Sequence, residues 1–379
     1  MIKFFRKIRQ NLLSEGKTGK YFKYAIGEVI LVVIGILIAL QINNWNESRK
    51  ELDSELQLYS NLLSDLNSEY SSIEEQLFFT RAYDRFHVHL NKERNGQAVY
   101  NPEQSYNYLL WFHRYSMFIQ EKYSESLNKI TNKRIHTKLK SFIKQEINTK
   151  NAVDEWNEHQ TQIVRPFLVK HGINRTKAMY NEELTDFAPI INTTNLVDYT
   201  KLKEQYTTVE FEQLLFSMRF KTLWMTQNFS WLNERNREFQ VLLSHEMAST
   251  KLNGSFEPIE ARTYKELYFL NRPIEEIIAF IKKQAVNDSK YPITEGEINR
   301  FGYDLMEEVK YHDALKVFKL NTELYPSQWN TYDSYGECLL ELGDIENAIR
   351  AYKKSLELNP NNSSSIEALK NIKKKKSKK

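Results

Sequence analysis

A chain of 379 residues with 41% hydrophobic and 13% aromatic content can build two or three packed domains, which excludes a disordered polymer. Its formal charge of +4 is unevenly spread: residues 1–24 carry +6, residues 370–379 carry +7, and the acidic body between them is therefore −9. That pattern argues against a nucleic-acid groove, and the single cysteine, Cys338, excludes an internal disulfide or a multi-cysteine metal site.

The first predicted element is a membrane anchor at residues 25–43, preceded by a basic segment, residues 1–24, with seven Lys or Arg against Glu15. The run AIGEVILVVIGILIALQI, residues 25–42, carries Glu28 as its only charge; as a helix it rises about 27 Å, close to the roughly 30 Å of bilayer hydrocarbon. Tyr21, Phe22 and Tyr24 before it and Trp45 after it stand where interfacial aromatics belong. Lys3, Arg6, Lys7, Arg9, Lys17, Lys20 and Lys23 on one side, against Arg49 and Lys50 matched by Glu47, Glu51 and Asp53 on the other, keep the amino end in the cytoplasm. The exit IALQINNW lacks the small residues of a signal-cleavage site, so the span reads as an uncleaved signal anchor.

The same placement settles Gly16-Lys17-Thr18. A phosphate-binding loop needs an earlier glycine where Asn11 stands, between a strand and a helix, and here a membrane helix follows. Ser14-x-x-Lys17, the nucleophile spacing of penicillin-recognising enzymes, lies on the wrong side of the membrane and in no domain. Within the anchor, Gly27, Leu31, Gly35 and Ala39 fall on one face, and Gly35-x-x-x-Ala39 is the small-residue pattern by which two membrane helices approach closely. Gly27, Gly35 and Ala39 are thus the candidate residues for a homodimer.

Beyond the membrane, Leu52, Leu56, Tyr59, Leu63, Leu66, Tyr70, Ile73 and Leu77 recur in a heptad seam. Such a coiled-coil pattern either zips to a second copy or packs against later helices of its own chain. Aromatic-rich patterns at residues 106–119 (YNYLLWFHRYSMFI) and 211–232 favour the second, an extracytoplasmic helical bundle over residues 47–252. Residues 166–189 break the periodicity and read as an irregular insertion with one short helix. Chemistry is sparse: His245-Glu246 does not continue into H-E-x-x-H, and His87-x-His89 shares a face only in a strand. Trp111, Trp156, Trp224 and Trp231 read as core before they read as a ligand pocket, and no metal or cofactor is expected.

The opening MIKFFRKIRQNLLSEGKTGKYFKYAIGEVILVVIGILIALQINNWNE resembles that of an uncharacterised family of single-span bacterial envelope proteins, a likeness extending to about residue 250. The resemblance implies location and topology: a bacterial inner membrane, a single pass, the amino end cytoplasmic and the body periplasmic. It implies no reaction.

After Asn253-Gly254 the composition changes, and a period of 34 residues emerges. Phe301-Gly302 matches Tyr335-Gly336, Leu305 matches Leu339, Ala314 matches Ala348, Phe318 matches Tyr352, and Pro326 matches Pro360. Glycine and alanine let paired helices approach, Phe318 and Tyr352 fill the groove, and each proline stops a second helix. This resembles the tetratricopeptide repeat, with units at 295–328 and 329–362 inside a module spanning 253–372. A helix over residues 273–285 supplies an upstream face, and Ser364 with Glu367 caps a final helix ending near Ile372. Residues 373–379 are left as a basic tail. By that resemblance the first helix of each pair lines a binding groove: Asn299, Tyr303, Met306 and Glu307, then Asp333, Glu337, Leu340 and Glu341. Its mixed apolar and acidic character selects a basic or apolar segment of a protein partner.

The expectation is an all-α, membrane-anchored scaffold or adaptor that binds a protein partner through its repeats and performs no catalysis. Two alternatives stand beside it, a ligand-sensing regulatory protein using the helical body and an enzyme with an unrecognised site.

Overall fold

The computed structural model describes residues 18–101, 106–180, 195–250, 257–286 and 293–376. The Ser14–Lys17 stretch and the end of the lysine tail lie outside the described residues, as does the side chain of Glu28. The fold is all-α, with an isolated antiparallel bridge between Asn174 and Val197 and no strand among the described residues. Contacts divide the chain into two units, Met1–Pro258 and Ile259–Lys379.

The first unit is organised by α1 (Thr18–Arg94), which carries the apolar run and the heptad in one helix of 77 residues. Nothing between them breaks it, because residues 42–52 contain neither glycine nor proline. Residues 29–54 are exposed on every face, and the amino-terminal part is long and apolar enough to cross a membrane. From Glu55 onward α1 packs against α7 (Val209–Ser249), and α7 packs in turn against α3 (Lys133–His159). The heptad thus faces its own chain. Leu56, Tyr59, Leu66, Ile73 and Leu77 are buried as the spacing predicts. Leu52 is exposed, while Leu62 and Glu69 lie deeper than Leu63 and Tyr70. A helix that meets a bundle buries a wider stripe than a two-stranded seam, and Leu52 precedes the level at which packing begins.

Residues 106–119 depart from the predicted helix. They form a 3-10 turn (Tyr106–Leu110), an extended run, and the start of α2 (Phe118–Tyr123). The cause is a distant side chain: Asn157 accepts from His113 N at 3.0 Å and donates to His113 O at 2.9 Å, satisfying the backbone as a neighbouring strand would. Glu146 then accepts from the amides of Ile119 at 3.0 Å and Gln120 at 2.7 Å, which sets where α2 begins. After α3 a π-turn (Gln160–Val164) leads into α4 (Arg165–Lys170). Pro166 lacks an N–H and crowds the preceding turn, and the wider π-turn accommodates it. The irregular region then contains α5 (Thr176–Met179) and α6 (Tyr199–Glu204), with residues 181–194 outside the described set.

The second unit begins with α8 (Tyr264–Phe269), which the sequence reading missed, and α9 (Ile274–Val286). Two helical hairpins follow: α10 (Glu295–Glu307) with α11 (Tyr311–Leu324), and α12 (Trp329–Glu341) with α13 (Ile345–Leu358). A methyl group added to Gly302 would sit 2.4 Å from the Phe318 ring, and one added to Gly336 would sit 3.1 Å from Tyr352. Glycine is needed at both crossings, most strictly at the first. The last helix, α14 (Ser363–Lys376), runs past Ile372 into the lysine tail. Its cap is Asn362, whose Oδ1 accepts from Ser364 N at 3.1 Å, rather than Ser364 itself.

Candidate functional site

The predicted groove residues lie on α10 and α12, the first helices of the two repeat hairpins. Because the period is 34 residues, Tyr303 and Glu337 hold equivalent positions in successive units. The structure joins them: the Tyr303 hydroxyl donates to Glu337 Oε2 at 2.7 Å and lies 3.0 Å from Ser334 Oγ. Burial, reinforced by the Glu337 carboxylate, pushes the Tyr303 phenol well above its ordinary range, so it stays a neutral donor. Its ring meets Phe318 with centroids 5.2 Å apart.

The remaining candidates separate by role. Glu307, Glu337 and Glu341 are exposed, and Met306 and Leu340 are half-buried against the apolar clusters of the unit. Asn299 is half-buried, and its side-chain oxygen has no partner in the structure. Asp333 differs from the expected groove acid. It is 8% exposed, and its Oδ1 accepts from Asn362 Nδ2 at 2.9 Å and from the Ser365 hydroxyl. Asp333 therefore fastens the cap helix α14 instead of facing a partner. The sequence concealed this because Asp333's partners belong to the cap rather than to the repeat period.

In the apolar run of α1, Gly35 and Ala39 are exposed and Gly27 is half-exposed. Nothing lies within 4 Å of a methyl placed at Gly27 or Gly35, so the small-residue face is open.

The bundle holds a polar cleft of about 370 Å³, lined in part by Glu69, His113, Tyr115, Lys150 and Asp154. Burial raises the Glu69 carboxyl to about 7, partly opposed by the Tyr115 hydroxyl at 3.4 Å. His113 is pulled down to about 4 by burial, and its Nδ1–H donates to Gln76 Oε1 at 3.1 Å. His87 is likewise buried and lowered to about 4, while His89 contacts Glu93 at 2.9 Å, so the two histidines do not converge. Among the described residues no group of three His, Cys, Asp or Glu is arranged to hold a metal ion. Of the four tryptophans considered for a pocket, Trp156 is fully buried core and Trp224 is exposed on α7. Glu93 is a residue that sequence reasoning missed. Its carboxylate accepts from the hydroxyls of Tyr106 and Tyr206, each at 2.7 Å, tying the end of α1 to the 3-10 turn and to the turn after α6.

Residues 28–84 match a family of unknown function (DUF6090), a stretch ending within α1. Residues 336–362 match the tetratricopeptide repeat, a non-catalytic protein-interaction repeat, and the hairpin α10–α11 shows the same arrangement one period earlier. No curated protein matches the chain.

Proposed function

We propose that this protein is a membrane-anchored, extracytoplasmic scaffold that recruits a partner protein through the groove of its repeat unit, without catalysis. The observation that carries the reading is the Tyr303–Glu337 contact, which joins the two first helices into one continuous surface bearing exposed Glu307, Glu337 and Glu341. A surface of that charge favours a basic segment, with half-buried Met306 and Leu340 offering apolar contact. In this reading the apolar amino-terminal helix spans a bacterial inner membrane, with the amino end cytoplasmic and the body periplasmic; the basic residues before the span support that orientation.

The test is crosslinked affinity capture from native membranes, comparing the full chain with a chain ending at Leu252. Loss of a specific partner on truncation is the expected result. An unchanged partner set would transfer function to the bundle and its polar cleft, and with it to ligand sensing. Orientation is read separately with a membrane-impermeant thiol reagent: Ser54→Cys labels in intact cells with an opened outer envelope, and Ser14→Cys labels only after the inner membrane is breached.

A further inference from the structure

The helix α7 carries two apolar seams, and the fold uses one. Its inner face, including Phe211, Met218, Met225, Phe229 and Phe239, is buried in the bundle. Its outer face repeats the heptad spacing in Val209, Gln213, Phe216, Phe220, Leu223 and Gln227, and all six are exposed. Phe216 is 69% exposed, Phe220 60%, Leu223 48% and the adjoining Trp224 43%, and the rings of Phe216 and Phe220 stack with centroids 6.3 Å apart. Such a row of large side chains on a single helix marks an interaction surface rather than scattered surface apolarity.

Its position excludes the bilayer as occupant. The Arg219–Asp84 ion pair at 3.0 Å sets this part of α7 level with residue 84 of α1, roughly 60 Å along that helix from the end of the apolar run at Ile42. We propose that the outer seam of α7 is where a second copy of this chain packs, side by side in the same membrane. The proposal rests on the anchor reading, because two copies held by the same span stand at the same height. A two-fold axis normal to the membrane then brings each seam residue opposite itself, so the two heptad rows meet in parallel and in register.

The interface is small, on the order of 400 Å² per copy from four or five partly exposed apolar side chains, which is below what a stable dimer in dilute solution needs. Confinement to one membrane plane raises the effective concentration and makes a seam of this size sufficient. The geometry also separates this contact from the small-residue face of the anchor. Asn233, Asn236 and Gln240 turn toward α1, away from the seam, so α7 lies between its own α1 and the partner. The two α1 helices then stand roughly 20 Å or more apart, and Gly35 and Ala39 do not meet.

Same-residue cysteine crosslinking of the full chain in native membranes tests this, with Cys338 left in place because it is buried and its thiol is pushed up to about 11. Cysteine at Gln213, Phe220 or Gln227 is expected to give a dimer-mass band at least tenfold stronger than cysteine at the exposed controls Glu75 and Lys140. Adding Phe216→Glu and Phe220→Glu should cut the Gln227→Cys band about tenfold with helix content unchanged, whereas Gly35→Ile with Ala39→Ile should leave it intact. Bands of equal strength at seam and control sites, absence of bands at the seam, crosslinks only to another protein, or loss through the anchor substitutions would each overturn the proposal. Carbonate extraction judges the anchor by itself: a chain that washes free defeats the anchor reading, while the cysteine pattern still decides whether the seam pairs.

Discussion

Glu55 and Glu69 lie on the buried face of α1 and respond to pH in opposite senses. Burial alone would raise the Glu55 carboxyl, but hydrogen bonds from Thr131, Tyr59 and the amide of Asn132 hold it below the ordinary 4.5. Its contribution is complete above that value and is lost as pH falls further. Glu69 has burial with little compensation, so its folded value of about 7 lies above the ordinary 4.5. The folded state then holds a proton that the unfolded state has released, and stability falls as pH rises from 4.5 toward 7. Glu69→Gln should therefore raise stability at pH 8 by on the order of 2–3 kcal/mol and change little at pH 4.5, read from melting of the bundle across that range. A difference independent of pH would show that Glu69 acts through packing and not through its charge. A second residue carries strain of a different kind. Val309 has φ 63° and is 71% exposed, at the position one period before Gly343, which has φ 79°. A β-branched residue in the left-handed region is strained without any packing in return, so Val309→Gly should stabilise the repeat unit by about 1 kcal/mol in denaturant unfolding.

At the scale of elements, what could be read from sequence was what repeats. The heptad and the 34-residue period place α1 and the hairpins α10 to α13 because each short-range pattern is matched by a buried face. The extended run after Tyr106 was not legible, since aromatic residues at helical spacing are compatible with either backbone and the deciding contact is Asn157, remote in sequence. Within the groove, the period aligned Tyr303 with Glu337, but nothing periodic announces that Asn362 and Ser365 take the Asp333 carboxylate. That network ties the start of α14 to a single buried acid, with Asn362 also donating to Ser355 Oγ at 2.9 Å, while Ile372 packs its far end. Asp333→Ala removes the carboxylate that Asn362 Nδ2 and the Ser365 hydroxyl share, at a cost of roughly 1–3 kcal/mol. Hydrogen exchange should show α14 losing protection while α10 and α11 keep theirs. Equal loss throughout the unit would mean that the cap is not a separately anchored element.

For the whole molecule the distribution of charge matters more than its sum. On the proposed topology the +6 before the apolar run would oppose export of the amino end, and the −9 between the basic ends leaves the body acidic. On the proposed reading an acidic body would disfavour acidic partners and favour a basic segment at the groove, where exposed Glu307 and Glu341 flank the joined helices. Attraction between exposed charges is screened within about 10 Å at 0.1 M salt, whereas burial of apolar surface is not. Binding of the partner to the anchored protein in membranes should therefore weaken at least tenfold between about 0.05 M and 0.5 M salt. Glu307→Lys with Glu341→Lys should produce a similar loss at low salt and little further loss at high salt, because the same attraction is removed by either route. Both side chains are exposed, so the double variant is expected to keep its helix content, which circular dichroism checks. A partner whose affinity ignores both salt and charge reversal would be held by Met306, Leu340 and their apolar surroundings, and the groove would then select shape in place of charge.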